Sequence, residues 1–122
     1  MTSNRELAES YLEDAEYSLE EAKEAYKREL YHRVVRRCQE CVELSLKATL
    51  RLLGIEYPKT HEVSGALIKI AGKLPNWFRR ELDEVINIST ALAIQRAPSF
   101  YGDELRKLPP KRIYRREDAK KL

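Results

Sequence analysis

The stretch that decides the fold is residues 3–28, which read SNRELAESYLEDAEYSLEEAKEAYKR. Ser3 and Glu6 have the spacing of a capping box, and acidic residues toward the start suit the positive end of a helix dipole. Small and apolar residues recur at alternating steps of four and three, which predicts one narrow seam against a partner helix. We therefore predict a first helix from about Ser3 to Arg28 in an antiparallel hairpin. The seam comprises Ala8, Leu12, Ala15, Leu19, Ala22 and Tyr26.

A second helix is predicted from about Leu30 to Leu53, and Gly54 is well suited to end it. This helix would be the other arm of the hairpin, with one face against the first helix. The residues expected on its inner face are Tyr31, Val34 or Val35, Cys38, Cys41 or Val42, Ser45, Ala48 or Thr49, and Leu52.

Three arginines of the second helix, Arg33, Arg36 and Arg37, are three and four residues apart. Helical spacing puts them on a common outer surface. We expect this surface to be solvated or paired with glutamates of the first helix. A patch that contacts RNA is the alternative interpretation.

A shorter third helix is predicted after a loop at residues 54–59, with Thr60 as its N-cap. Gly72 and Pro75 then interrupt the helical pattern. The inward residues of this helix are expected to be Val63, Leu67 and Ile70.

A fourth helix should begin near Asn76 or Trp77. The residue before a proline is disfavoured in the helical conformation, so Pro98 predicts that this helix stops at or near Arg96. Its buried side is expected to contain Phe78, Leu82, Val85, Ile86, Ser89 and Leu92.

The chain of 122 residues is long enough for one compact domain, residues 1–122, and too short for two. No strand-like alternation or internal repeat is present, so we predict an all-α fold, an antiparallel helical bundle of four main helices plus a short C-terminal helix or tail. Apolar runs fall far short of the roughly 20 residues that cross a bilayer, and the N-terminus has no apolar signal core. We expect a cytoplasmic protein without membrane association.

Charge is distributed unevenly along the chain. Residues 1–26 carry eight acids and two bases, whereas the basic C-terminal segment, residues 105–122, carries eight bases and two acids. Such a basic segment can contact nucleic-acid phosphates, or it can pack against an acidic surface such as the first helix. Asp118 to Leu122 is expected to begin a short last helix. Candidate apolar anchors of this segment are Ile113, Tyr114 and Leu122.

Cys38 and Cys41 form a C-x-x-C within the second helix. No second pair of cysteines or histidines has the spacing of a zinc finger, so we expect two reduced thiols on or near a core face. No metal and no cofactor is predicted.

The candidate ligand-binding residues lie in residues 96–104, RAPSFYGDE. Arg96 would stand at the end of an apolar helix, with Tyr101 and Asp103 within reach in the following loop. Other roles fit the same residues: Arg96 can cap helix-end carbonyls or pair with Asp103, Tyr101 can be a core or interface aromatic, and Asp103 can hold the turn after Gly102.

The chain resembles the HEPN domain, the higher eukaryotes and prokaryotes nucleotide-binding family, in its small prokaryotic form. The resemblance covers most of the chain. It rests on YLEDA at residues 11–15, ECVELSLKATL at residues 40–50, His61 at the start of the third helix, and RAPSFYGD at residues 96–103.

In that family, an arginine near the end of the fourth helix and a histidine a few residues later form a metal-independent ribonuclease site, usually across a dimer cleft. Here Tyr101 stands five residues after Arg96, and no histidine follows Arg96. A tyrosine, with a pKa of about 10, is a poor general base at pH 7, so binding is expected rather than catalysis. The resemblance implies that Arg96 contacts phosphate, that Tyr101 stacks on a base or donates a hydrogen bond, and that Asp103 orients Arg96.

The same resemblance implies a homodimer that binds a nucleotide or RNA, or that pairs with a minimal nucleotidyltransferase as a toxin and antitoxin. Two alternatives stay open. One is a metal-independent ribonuclease in which Tyr101 or His61 handles a proton, and the other is a non-catalytic helical adaptor. His32 lies four residues after Arg28 and is expected to pack on the surface.

Overall fold

The computed structural model describes residues 3–56 and 64–120. Within these ranges all regular structure is helical, and the all-α fold class is confirmed. The helices are α1 (Asn4–Lys27), α2 (Tyr31–Leu52), α3 (Ser64–Lys69), α4 (Asn76–Arg80), α5 (Leu82–Tyr101), α6 (Pro110–Ile113) and α7 (Arg116–Lys120), with a 3-10 turn at Ala71–Lys73.

The α1–α2 hairpin is built on small residues. The predicted N-cap is confirmed, because the Ser3 hydroxyl oxygen accepts a hydrogen bond of 3.1 Å from the Glu6 main-chain N–H. The prediction that Leu12 and Leu19 are buried in the seam is wrong, since they are 46% and 40% exposed. Small residues let the helix axes approach closely, and the larger leucines then lie beside the seam. The buried residues of α1 are Ala8, Ala15, Ser18, Ala22 and Ala25.

Helix α2 is the centre of the bundle and packs against both α1 and α5. It ends one residue before the predicted boundary, and Gly54 follows with φ of +75°. The expectation for Leu52 is wrong, because this side chain is exposed. Leu46 and Leu50 set the buried face near the end of α2, and Leu52 lies on the opposite side of the helix. The buried residues of α2 are Val34, Val35, Gln39, Leu46, Ala48 and Leu50.

Helices α3 to α5 close the second half of the core. Leu67 is fully buried with Leu46 and Leu50, and Ile70, Phe78, Leu82 and Val85 pack against this cluster. The predicted fourth helix is divided, because α4 ends at Arg80 and α5 starts at Leu82. Ser89 and Leu92 are buried as expected. The expectations for Thr60, His61 and Val63 lie outside the described residues.

The predicted helix end at Arg96 is wrong, because α5 continues through Pro98 to Tyr101. Pro98 has no N–H to donate to the preceding turn. Other donors support this last turn: the Ser99 hydroxyl donates to the Arg96 carbonyl at 2.8 Å, and Arg36 Nε of α2 donates to the Ser99 carbonyl at 2.7 Å. Gly102 N–H donates to the Pro98 carbonyl at 2.8 Å. The tertiary contact from Arg36, together with hydrogen bonds within the turn, therefore offsets the local effect of the proline.

The basic C-terminal segment folds back onto the bundle. Tyr114 is buried, its hydroxyl donates to Gln95 Oε1 at 2.7 Å, and burial raises the pKa of this phenol to about 12. Ala119 of α7 packs with Ala22, Ala25 and Val34 of the hairpin. The last helix starts at Arg116, two residues before the predicted position. None of the described helices combines the length and apolar character needed to cross a membrane.

Candidate nucleic-acid interface

Arg96 lies near the C-terminal end of α5, about one turn before its last residue. Its side chain is held by neutral groups. Its Nη1 donates a hydrogen bond of 2.7 Å to Gln39 Oε1, and its guanidinium carbon is 5.0 Å from the centroid of the Phe100 ring. Gln39 is only 2% exposed, so its amide is a fixed acceptor. Among the described residues, no carboxylate forms an ion pair with Arg96, and its positive charge is therefore available to a ligand.

A polar chain along α2 holds Gln39 in turn. Gln39 Nε2 donates to Glu43 Oε1 at 3.0 Å, and Lys47 Nζ donates to Glu43 Oε2 at 3.2 Å. The side chains of Glu43 and Lys47 are 11% and 15% exposed. This arrangement orients the amide oxygen of Gln39 toward Arg96. The sequence prediction omitted Gln39, and the only signal was the four-residue spacing of Gln39, Glu43 and Lys47.

Phe100 lies in contact with two guanidinium groups. The guanidinium carbon of Arg36 is 4.4 Å from its ring centroid, slightly closer than that of Arg96. Such cation–π contacts fix both arginines against the last turn of α5. The Tyr101 ring centroid is 6.2 Å from that of Phe100, and Tyr101 is 69% exposed. An exposed aromatic ring beside fixed cations can stack on a nucleobase.

The sequence prediction also placed Arg36 incorrectly. It was expected on an outer surface, but its side chain turns toward α5, where Nη2 also donates to the Phe100 carbonyl at 3.4 Å. Helix-end carbonyls attract cations, because the dipole is negative there. The expectation of pairing is confirmed for Arg37, which contacts Glu21 of α1 at 3.6 Å and both carboxylate oxygens of Glu40 at 2.9 Å.

Asp103 makes its contacts within the turn that follows α5. Its Oδ1 accepts from Arg106 N–H at 3.1 Å, and its main chain exchanges two hydrogen bonds of 2.9 Å with Leu108. Its carboxylate also lies 3.9 Å from Arg106 Nε. The structure therefore brings Arg96 and Tyr101 to one end of α5, whereas the contacts of Asp103 stabilise the neighbouring turn.

A family profile for the HEPN domain matches residues 8–122. The chain belongs to the HEPN domain family. This membership supports a general role in nucleotide or RNA binding, or in ribonuclease-like chemistry. Searches of curated proteins and of solved structures each found no match.

The two thiols of this HEPN domain are partly buried and free. Burial, with a smaller effect of Cys41, raises the pKa of Cys38 to about 11, and burial also raises the pKa of Cys41. Metal binding and redox exchange need the thiolate, which these environments disfavour. Over residues 3–56 and 64–120, no three His, Cys, Asp or Glu side chains are grouped to hold a metal ion.

An apolar groove of about 590 Å³ separates α1 from α5 and has α2 as its floor. Leu19 of α1 and Ile88 of α5 line its walls, Cys38 lies in the floor, and Tyr114 and Asp118 of the C-terminal segment also line it. Arg96, Phe100 and Tyr101 do not line it. The charged end of α5 and this groove are thus separate surface features of the described residues.

Proposed function

We propose that this HEPN domain binds a nucleotide or RNA at the end of α5, with Arg96 on a phosphate and Tyr101 stacked on a base. The observation that carries the proposal is that no carboxylate among the described residues forms an ion pair with Arg96. Its contacts are the Gln39 amide oxygen and the Phe100 ring, which position the guanidinium without neutralising it. Arginine is well suited to phosphate because its planar fork donates two parallel hydrogen bonds.

Removing the stacking ring is expected to weaken RNA binding by about tenfold in Tyr101→Ala, because one base–aromatic stack contributes about 1–3 kcal/mol. Tyr101 is largely exposed, so its loss should leave the fold intact. Arg96→Ala should reduce the slope of log affinity against log salt by about 1. The measurement is titration of a labelled single-stranded RNA in EDTA at several salt concentrations, scored for binding and for cleavage.

Arg80→Ala is the matched control, because it removes an exposed arginine from α4. Thermal unfolding checks each variant, since Arg96→Ala also takes a partner from the buried amide of Gln39. Unchanged affinity in both Tyr101→Ala and Arg96→Ala would reject the site. RNA cleavage in EDTA that depends on Arg96 would instead establish the ribonuclease alternative.

We also propose that two copies associate through the groove. Leu19 and Ile88 leave much of their apolar surface exposed there. Leu19 of the acidic α1 lines the groove, as do Tyr114 and Asp118 of the C-terminal segment, in which bases outnumber acids. A two-fold axis can therefore bring the acids of one copy near the bases of the other. Apolar walls and self-complementary charge both favour a second copy as the occupant.

Ile88→Glu is expected to convert a dimer into a monomer, because the buried contact would acquire a charge without a partner. Light scattering over a range of concentrations and salt measures the mass. Ile68→Glu is the matched control, since Ile68 is an exposed isoleucine of α3 outside the groove. A monomeric wild type, or an equal effect of both substitutions, would contradict this proposal.

A minimal nucleotidyltransferase, in a toxin–antitoxin pair, is the partner that the family resemblance implies. This pairing stays a prediction. If no RNA binds, the alternative function is that of a non-catalytic helical adaptor. Co-expression with such an enzyme is the test. Purification of the two proteins only as separate species would count against the pair.

A further inference from the structure

A cluster of basic side chains lies beside the end of α5, on the side of α2 and α6. His32 and Arg36 are one helical turn apart on α2, and Arg33 follows His32 directly. Helix α6 packs against both α2 and α5, and its Lys111 is near enough to His32 to affect its ionisation. Arg36 contacts Phe100, as Arg96 does, so the cluster and Arg96 belong to one surface.

The cluster is distinguished by its lack of charge compensation. Two other arginines of the hairpin have carboxylate partners: Arg28 pairs with Glu24 at 3.1 Å, and Arg37 pairs with Glu40. Within the part of the chain that the structure describes, Arg33 and Lys111 have no carboxylate at ion-pair distance. Arg36 donates to main-chain carbonyls, and the nearby Glu40 is already bound through both oxygens to Arg37.

The pKa of His32 reflects the positive electrostatic potential of this surface. Burial is the first cause that lowers its pKa, and the charges of Arg36, Arg33 and Lys111 lower it further. Among the described residues, every charged group that acts on this imidazole is thus a cation, and at neutral pH the ring is uncharged. Its Nδ1 is buried and has no hydrogen-bond partner among the described residues.

We propose that His32, Arg33, Arg36 and Lys111 form a phosphate subsite that holds a second phosphate of the nucleotide or RNA strand bound at Arg96. The subsite rests on the proposed function, because it extends the ligand from the end of α5 onto α2 and α6. Arginine and lysine supply charge-assisted donors to the phosphate oxygens. A bound phosphate also relieves the mutual repulsion of the three cations.

In this arrangement, phosphate binding is coupled to protonation of His32. In the free protein the pKa of His32 is lowered, so the imidazole is neutral at pH 7. A phosphate within a few ångströms favours the charged imidazolium, and therefore raises that pKa on binding. By reciprocity, the affinity for phosphate rises as the pH falls through the raised pKa. The other charged groups that act on His32 are Arg36, Arg33 and Lys111.

The chain has two histidines, so His61→Gln leaves His32 as the only imidazole to observe by NMR. The probe is inorganic phosphate, compared with sodium chloride at equal ionic strength. Phosphate is expected to shift the His32 resonances and to raise the pKa of His32, whereas chloride should do neither. Equal effects of the two salts, or no effect of phosphate, would overturn the subsite.

A second arm uses a labelled oligoribonucleotide and the same His61→Gln background. Affinity should rise by up to about tenfold from pH 7.5 to 5.5 if the pKa of His32 rises by one unit, and His32→Gln should remove this dependence. Arg33→Gln and Lys111→Gln should each weaken binding, whereas Arg80→Gln on α4 should not.

The two arms separate the subsite from the proposed function. RNA binding that requires Tyr101 but does not change with pH, or on substitution of Arg33 or Lys111, would support the site on α5 and reject the subsite. A phosphate-dependent shift of His32 without any RNA binding would keep the subsite and reject the proposed function.

Discussion

Replacing Gly102 with alanine is expected to detach the C-terminal segment from the bundle. Gly102 has φ of +72° and ψ of −151°, a conformation that is essentially restricted to glycine. A Cβ atom there would lie 2.0 Å from the Leu108 carbonyl oxygen and 2.9 Å from the Pro109 carbonyl carbon. These are main-chain atoms, so the whole turn must move.

The displaced turn supports the remaining contacts of the segment. Its movement would break the Asp103–Leu108 pairing and would pull Tyr114 away from Gln95. Backbone strain of this kind alone costs about 1–3 kcal/mol, and the lost packing of Tyr114 and Ala119 adds to it. We therefore expect a lower melting temperature, and faster amide hydrogen exchange and proteolysis in α6 and α7.

Gly65→Ala is the matched control, because no atom lies within 4 Å of the added Cβ and α3 is helical there. Alanine at that position should leave stability unchanged or raise it by about 0.5–1 kcal/mol. If Gly102→Ala has the same amide hydrogen exchange and melting temperature as the wild type, the turn does not hold the C-terminal segment in place.

The sequence predicts the parts of the fold that local interactions determine. Ser3 caps α1 because its hydroxyl needs only the N–H of Glu6, three residues away. Gly54 follows α2 with positive φ for an equally local reason. The predicted end of α5 was wrong because part of the support of its last turn is not local. Arg36 donates to the Ser99 carbonyl, 63 residues away in sequence.

The same distinction explains the candidate site. Arg96 and Tyr101 could be chosen from the sequence because both lie in one short segment. Gln39 and Arg36 could not, since polar residues in an amphipathic helix are assigned to its outer face unless a partner is known. Only the packing of α2 against α5 shows that Gln39 is buried and that Arg36 contacts Phe100.

Glu43→Gln is expected to destabilise the protein and to weaken RNA binding at the same time. The carboxylate of Glu43 accepts from Gln39 on one oxygen and from Lys47 on the other, in a largely buried position. Loss of one charge from a buried pair typically costs about 3 kcal/mol or more. For a chain of this size we expect the melting temperature to fall by about 10 °C.

The effect on binding follows from the orientation of Gln39. A glutamine at position 43 can present an amide group to Gln39, so the oxygen of Gln39 is no longer held toward Arg96. Glu24→Gln is the matched control, because it removes the same charge from an exposed pair four residues apart, where the cost should be at most about 0.5 kcal/mol. Thermal unfolding and the RNA titration measure the two effects separately.

A double variant, Glu43→Leu with Lys47→Leu, distinguishes stability from positioning. Replacing a buried ion pair by apolar side chains is often neutral or stabilising, so this protein should recover most of its melting temperature. Gln39 would still lack its carboxylate partner, and RNA affinity should stay low. Recovery of both properties together would show that Glu43 contributes to binding only through the stability of the fold, and that its contact with Gln39 does not position Arg96.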